Sequence, residues 1–318
     1  MKLIVTAPQR SPERLAALER DFPTVQVVTP DERETVPSVI GDADAVFGTV
    51  TANEFANARE LRWIQSPSAG VEWVARVPAL ISSDVVVTNM RGAHAATIAE
   101  HAFAMLLTLT RALRSFEVYQ TQHEWARSEI LGKMRGIKGL TMGIIGFGNI
   151  GRAIARRATG FEMNVLAVDA QPVTGGDGVS SVWPLTRLDD LCAASDVLVI
   201  SAPITRETRG MVSAPQLARL PQGAYLLAMS RGGIVDEPAL LGALRSGRLA
   251  GAGLDVTATE PLPANDPLWD APNTIITPHS SPVSMLTSDL VWSILSDNVG
   301  RFVRGEPLMN LVDKRRGW

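Results

Sequence analysis

The chain has 318 residues, 46% hydrophobic and 20% charged, the make-up of a globular protein long enough for two domains; disordered and fibrous classes are excluded. With 30 basic against 33 acidic residues the net charge is −3, and no run of lysine and arginine marks a groove for nucleic acid. No stretch approaches the roughly 18 apolar residues of a membrane span, the apolar N-terminal run is too short for a signal peptide, and a single cysteine excludes an internal disulfide. A cytoplasmic enzyme of small-molecule chemistry is the expectation.

Short β-rich runs alternate with helical patterns from the start. LIVTA at 3–7 predicts an opening strand that stops at Pro8, and a helix is predicted from Pro12 to Arg20, with Ser11 as N-cap and proline in the first turn. Further strands are predicted in VQVVT at 25–29, DAVFG at 44–48, RWIQS at 62–66 and VVVT at 85–88, the rhythm of βαβ units and of a parallel sheet.

A long helix is predicted from Ala96 to Leu113, with Ile98, Ala102, Met105, Leu109 and Leu113 on one stripe, broadened by Phe103, Leu106 and Leu107. It is too apolar for a solvated face. Burial between domains or against a second subunit is expected, and a C2 homodimer built on this helix and the segment around Trp125 follows from it.

A second series of strands is predicted in TMGII at 141–145, NVLAV at 164–168, DVLVISA at 196–202, AYLLA at 224–228, GAGLDV at 251–256 and TIIT at 274–277. Their unbroken apolar character predicts strands covered on both faces, as in a doubly wound sheet. Cys192, between an apolar helix end and an apolar strand, reads as a small core residue. A final helix is predicted after Pro282 as far as Arg304.

The sharpest local signal is Gly146-Phe147-Gly148-Asn149-Ile150-Gly151, directly after the strand TMGII and at the opening of a helix. Gly146 permits a tight turn, Gly148 lets the backbone approach a pyrophosphate, and Gly151 lets helix and strand pack closely, while the helix N-terminus offers N–H groups to an anion. Asp169, at the end of NVLAV, is placed to accept the hydroxyls of an adenosine ribose. With no arginine following it in AQPVTGGDG, NAD is favoured over NADP.

Here the sequence resembles the D-2-hydroxyacid dehydrogenase family, which includes phosphoglycerate, glyoxylate/hydroxypyruvate, D-lactate and formate dehydrogenases. The likeness runs from about Leu61 to the C-terminus and is carried by SAGVEWV at 68–74, MSRGGIVDE at 229–237, GLDVTATEPLP at 253–263 and TIITPHSSP at 274–282. It implies an α/β fold of two Rossmann-like doubly wound domains with the active site in the cleft between them. The substrate domain would be discontinuous, residues 1–97 and 283–318, and the NAD-binding domain would be 98–282.

The resemblance implies a reaction too: a small 2-oxo acid and the D-2-hydroxy acid interconverted by hydride transfer with NAD. Arg231 would clamp the substrate carboxylate and polarise its carbonyl, His279 would give the carbonyl oxygen its proton, and Glu260 would hold the other imidazole nitrogen. Ser68, Ala69, Gly70 and Val71 resemble the loop that binds the substrate carboxylate through backbone N–H groups. Pro203, Thr205 and Asp255 match positions that line the cofactor, Asp255 at its nicotinamide end. A strand-closing carboxylate at 255 could equally satisfy nearby backbone donors. Where many members have an asparagine three residues before the arginine, this chain has Ala228.

Other chemistries find little support. His94, His101 and His123 show no metal-ligand spacing, and there is no G-x-S-x-G or G-x-x-x-x-G-K-[ST] motif, so no metal, hydrolase or kinase site is expected. Two alternatives remain: an NAD-sensing corepressor-like binding protein of the same fold, which need not keep Arg231, Glu260 and His279, and a formate- or phosphite-type dehydrogenase. Neither a positive charge around SPSAG nor a long N-terminal extension favours the latter.

Overall fold

The computed structural model describes residues 1–7 and 11–316, so the expected strand stop at Pro8 lies outside the described residues. The chain divides into two compact units, Met1–His94 with Ser284–Trp318, and Ala95–Val283.

The first unit holds a parallel five-stranded sheet of β1 (Lys2–Val5), β2 (Gln26–Val28), β3 (Ala45–Phe47), β4 (Trp63–Gln65) and β5 (Val86–Thr88), in the order β2-β1-β3-β4-β5. Successive side chains of a strand point to opposite faces, so β1 feeds two cores. Leu3 and Val5 join Trp292, Leu295 and Val299 on one side. Ile4 joins Ile40, Ile64 and Leu80 on the other. The first of these faces is covered by the helix Met285–Arg304, which starts where Ser284 Oγ accepts the Thr287 amide and stops at Gly305, a left-handed residue with φ +69. The helix Pro12–Asp21 begins in the same way, with Ser11 Oγ accepting from the Arg14 amide.

The second unit is a parallel sheet of seven strands, β6 (Thr141–Ile145), β7 (Asn164–Asp169), β8 (Val182–Pro184), β9 (Val197–Ile200), β10 (Ala224–Ala228), β11 (Leu249–Leu254) and β12 (Thr274–Ile276). Their order is β12-β11-β10-β9-β6-β7-β8, so the direction of winding reverses between β6 and β9, and ligands of such sheets bind outside the carboxyl ends of the strands at that point. Val197, Leu198, Val199 and Ile200 are all fully buried, as a strand covered on both faces requires. Cys192 is fully buried too, and burial pushes its thiol up to about 12, which leaves it without thiolate character.

The long helix differs from its expected span. It runs Ala95–Thr110, the chain turns through Ala112 in the left-handed region (φ 54), and a separate helix follows at Leu113–Thr121. The apolar stripe is consumed within the unit: Ala99, Ala102 and Leu106 pack with Ile144, Ile154 and Leu227 in one core. Its apolar character therefore needs no second subunit. What does stand exposed lies beyond the break, where Leu113, Phe116, Val118, Trp125 and Leu131 present large side chains and Trp125 is 96% exposed.

Candidate active site

In the second unit the row of residues closing β10, β11 and β12 is in register, Ala228 beside Leu254 beside Ile276, so the loops that follow leave one edge side by side. Arg231, Glu260 and His279 sit on these three loops. The first two loops touch: a β-carbon on Gly232 would stand 1.8 Å from the Thr257 carbonyl oxygen, an approach only glycine allows.

His279 Nδ1 lies 2.9 Å from Glu260 Oε2. The other carboxylate oxygen, Oε1, accepts the Thr257 amide at 3.1 Å, so Glu260 is held from both ends. With Nδ1 engaged, Nε2 is the nitrogen left for a reacting group. Both side chains are partly open to solvent, at 38% and 39%.

His279 has φ +52, a left-handed conformation that costs a non-glycine residue on the order of 1–2 kcal/mol. The opposing force comes from Asp255. Its backbone carbonyl accepts the His279 amide at 2.8 Å, and its carboxylate accepts Ser280 N at 2.9 Å, Ser281 N at 3.0 Å and the Thr277 hydroxyl at 2.5 Å. The Asp255 side chain has no exposed surface. Its hydrogen bonds are spent on the His279 turn, the backbone-donor role that the sequence left open beside a place at the nicotinamide end of the cofactor.

Arg231 donates from Nη1 to the carbonyl of Ser230 at 2.7 Å. Ser230 Oγ is buried and has no hydrogen-bond partner among the described residues. A buried hydroxyl left unmatched beside Arg231 is a candidate ligand contact, and it lies two residues beyond Ala228, where the sequence had appeared short of a polar group.

The glycine turn follows β6. Gly146 has φ +90 and would bring a β-carbon within 2.6 Å of Ala202 N and Cα, while at Gly151 one would meet the Gly146 carbonyl at 2.2 Å. At Gly148 a β-carbon would meet nothing within 4 Å, and no side chain caps the helix Asn149–Gly160 that starts there. Open space beside an uncapped helix N-terminus fits a pyrophosphate. Phe147, Asn149 and Ile150 complete the turn, and Phe147 is fully buried. Asp169 is half-buried, and Oδ2 accepts the Phe147 amide at 2.7 Å while Oδ1 accepts the Gln171 amide at 2.9 Å. These contacts fix the carboxylate at the end of β7.

The loop after β9 is tied internally. Thr205 Oγ1 accepts the amides of Glu207 and Thr208, and Thr208 Oγ1 donates to the Pro203 carbonyl at 2.8 Å, so the Thr205 hydroxyl shapes the turn. In the first unit, Ser68–Val71 follow β4. Met90 N donates to the Ser68 carbonyl, Asn89 Nδ2 to that of Ala69 and Ser68 Oγ to that of Gly70, while Val71 is buried. The carbonyls of the loop are thus consumed within the unit.

Three groups escaped the sequence reading besides Ser230. Arg152 reaches the loop after β7 and bonds the carbonyls of Thr174 and Gly175. Arg156, and then Arg152, hold the Asp177 carboxyl below the usual carboxylate range. Glu237 Oε1 accepts the Ala258 amide at 2.6 Å, beside the Glu260 loop. Among the described residues no cluster of three His, Cys, Asp or Glu is arranged to hold a metal, and no helix is long and apolar enough to cross a membrane.

Residues 103–281 match the family model described as D-isomer specific 2-hydroxyacid dehydrogenase, NAD binding domain. Glyoxylate reductase of Korarchaeum cryptofilum is 33% identical over 99% of this chain and 97% of its own length. Glycerate dehydrogenase of Methylorubrum extorquens is 35% identical over 80% of this chain and 79% of its own. A D-isomer specific 2-hydroxyacid dehydrogenase from Xanthobacter autotrophicus, solved with NADPH and MES, superposes with a TM-score of 0.84 at 30% identity, over 100% of this chain and 99% of its own. The fold of two parallel sheets, the glycine turn and this agreement over nearly the whole length make the chain a member of the D-isomer specific 2-hydroxyacid dehydrogenase family, an NAD(P)-dependent oxidoreductase.

Proposed function

We propose that the protein interconverts a small 2-oxo acid and the corresponding D-2-hydroxy acid with NAD(H), using His279, Glu260 and Arg231. The observation that carries this is the 2.9 Å contact between His279 Nδ1 and Glu260 Oε2 on loops that leave one sheet edge beside that of Arg231. A corepressor-like binding protein has no need of such a pair.

When bound, the nicotinamide supplies or takes the hydride at the substrate C2. In reduction, His279 gives its Nε2 proton to the carbonyl oxygen, and in oxidation it takes the proton back from the hydroxyl. Glu260 keeps Nδ1 protonated and offsets the positive charge of the imidazolium. Arg231 offers a planar fork to the substrate carboxylate, fixing which side of C2 faces the hydride. In the first unit, the amides of Ser68, Ala69, Gly70 and Val71 are proposed to bind a substrate carboxylate. Gly146–Gly151 take the pyrophosphate, Asp169 the ribose hydroxyls, and Pro203 and Thr205 line the cofactor, while Asp255 contributes by holding the His279 turn.

A comparison of kcat/KM for glyoxylate, hydroxypyruvate, pyruvate, phenylpyruvate and a branched oxo acid, each with NADH, tests the reading. Reduction of at least one to the D-isomer is expected. No turnover with any, alongside intact NADH binding, favours the binding-protein reading instead.

A further inference from the structure

The turn that carries His279 has one more tie, and it begins on another element. His101 lies on the helix Ala95–Thr110 with its side chain 26% exposed. One turn further along the same face, Met105 rests on β11 at Gly253, where a β-carbon would stand 2.8 Å from the Met105 sulfur. The missing side chain at 253 seats the helix on the strand two residues before Asp255. From that seat His101 Nε2 reaches to 3.0 Å from Thr277 Oγ1, which in turn is 2.5 Å from Asp255 Oδ1.

The direction of these bonds follows from the inventory of protons. An ionised carboxylate only accepts, so the single hydroxyl proton of Thr277 goes to Asp255. The Thr277 oxygen is left as an acceptor, and the proton between it and His101 belongs to Nε2. A chain of donors results, from His101 to Thr277 to Asp255, and it ends on the carboxylate that also holds the amides of Ser280 and Ser281 on the far side of His279.

We infer that His101 is a positioning residue for proton transfer. By donating from Nε2 it fixes the rotation of the Thr277 hydroxyl, which commits that hydroxyl to Asp255 and keeps the turn around His279 in its left-handed conformation. The inference rests on the reading of His279 as the proton donor. His101 acts through Thr277 and Asp255. Its loss therefore falls on the rate of the chemical step and spares the glycine turn and Asp169, which bind the cofactor.

A histidine that merely fills space is replaced equally well by any side chain of similar bulk, whereas one that donates needs a donor in its place. Glutamine carries an amide N–H that can stand where Nε2 stands, and leucine carries none. The expected result is a kcat about tenfold lower in His101→Leu, with NADH affinity by fluorescence within about twofold of wild type, and recovery of most of that loss in His101→Gln. A wild-type kcat in His101→Leu, or His101→Gln no better than His101→Leu, overturns the inference. Thr277→Val, which cuts the same chain at its middle, should lower kcat to a similar extent and serves as the second variant should the leucine substitution prevent folding.

The imidazole nitrogen shifts of His101 in the unliganded full chain give a readout independent of turnover. A protonated Nε2 agrees with the donor chain, and an unprotonated Nε2 contradicts it. These outcomes separate from those of the catalytic reading. Normal turnover in His279→Gln removes the proton-donor role while the nitrogen shifts still decide the donor chain; a dead His279→Gln beside a fully active His101→Leu removes only the positioning role.

Discussion

Gly232 and Thr257 are in such close contact that the first side-chain atom of any other residue at 232 would overlap the Thr257 carbonyl. Through that contact the loop of Arg231 rests on the loop of Glu260, and two groups of the proposed chemistry share one support. Gly232→Ala forces the loops apart, since backbone cannot yield as a flexible side chain can. A stability loss of about 1–3 kcal/mol, read as a lower thermal midpoint, and a fall in kcat/KM are expected. An alanine variant with wild-type values of both contradicts this account of the contact.

Glu237 ties a half-buried carboxylate to the same region. Burial first, and then the negative charges of Asp266, Asp236 and Glu260, push its carboxyl above its ordinary 4.5, against the pull of the Ala258 N–H. In the folded chain it keeps its proton at a pH where the unfolded chain has lost it. Its contribution to stability is therefore fully present below the unfolded value and is lost as the pH rises through the folded one. Glu237→Gln keeps an acceptor for the Ala258 amide and carries no charge, so it should raise the thermal midpoint at neutral pH, with the gain shrinking as the pH is lowered toward about 4. A gain of equal size at both ends of that range would place its origin elsewhere than in the charge.

Asp169 governs the cofactor prediction. A 2′-phosphate would face its carboxylate as a like charge, so NADH should give the higher kcat/KM. Asp169→Asn keeps an acceptor for the Phe147 amide and removes the charge, and the preference for NADH over NADPH should narrow by about tenfold or more. The Xanthobacter relative was solved with NADPH, which makes the comparison a sharp one. Equal use of NADH and NADPH by the unaltered protein would remove Asp169 from this role.

We propose a homodimer that covers Leu113, Phe116, Val118, Trp125 and Leu131, large apolar side chains that stand exposed in one segment of the chain. Light scattering at micromolar concentration should give twice the chain mass, and Trp125→Glu should shift it toward one. A monomer mass for the unaltered chain contradicts the proposal.

The strands of the second sheet were legible because an unbroken apolar run between polar boundaries is what a doubly covered strand requires; TMGII and AYLLA have the predicted ends. β8 was not, since three residues that include Trp183 and Pro184 carry no pattern. Leu109 and Leu113 keep helical spacing across the break at Ala112, so periodicity alone ran two helices into one. In the candidate site, the glycine turn was readable from its motif, whereas Arg231, Glu260 and His279 were singled out by the family resemblance. The second role of Asp255 was open only as an alternative, because the donors that claim it are the backbone amides of Ser280 and Ser281, which no residue type announces. Ser230, Arg152 and Glu237 were missed for a related reason: their partners, or the lack of one, arise from loops that meet only in the folded sheet.

The pairing of His279 with Glu260 is the centre of the account, and His279→Gln tests it most directly. Single-turnover reduction of the best oxo acid and NADH binding by fluorescence should be measured on the same preparation. The account predicts a rate lower by about a hundred- to ten-thousandfold, the range that a positioned general acid contributes, with NADH affinity within about twofold because Gly146–Gly151 and Asp169 are unaltered. Turnover near that of the unaltered protein, with NADH bound equally well, would contradict the assignment of the proton to His279.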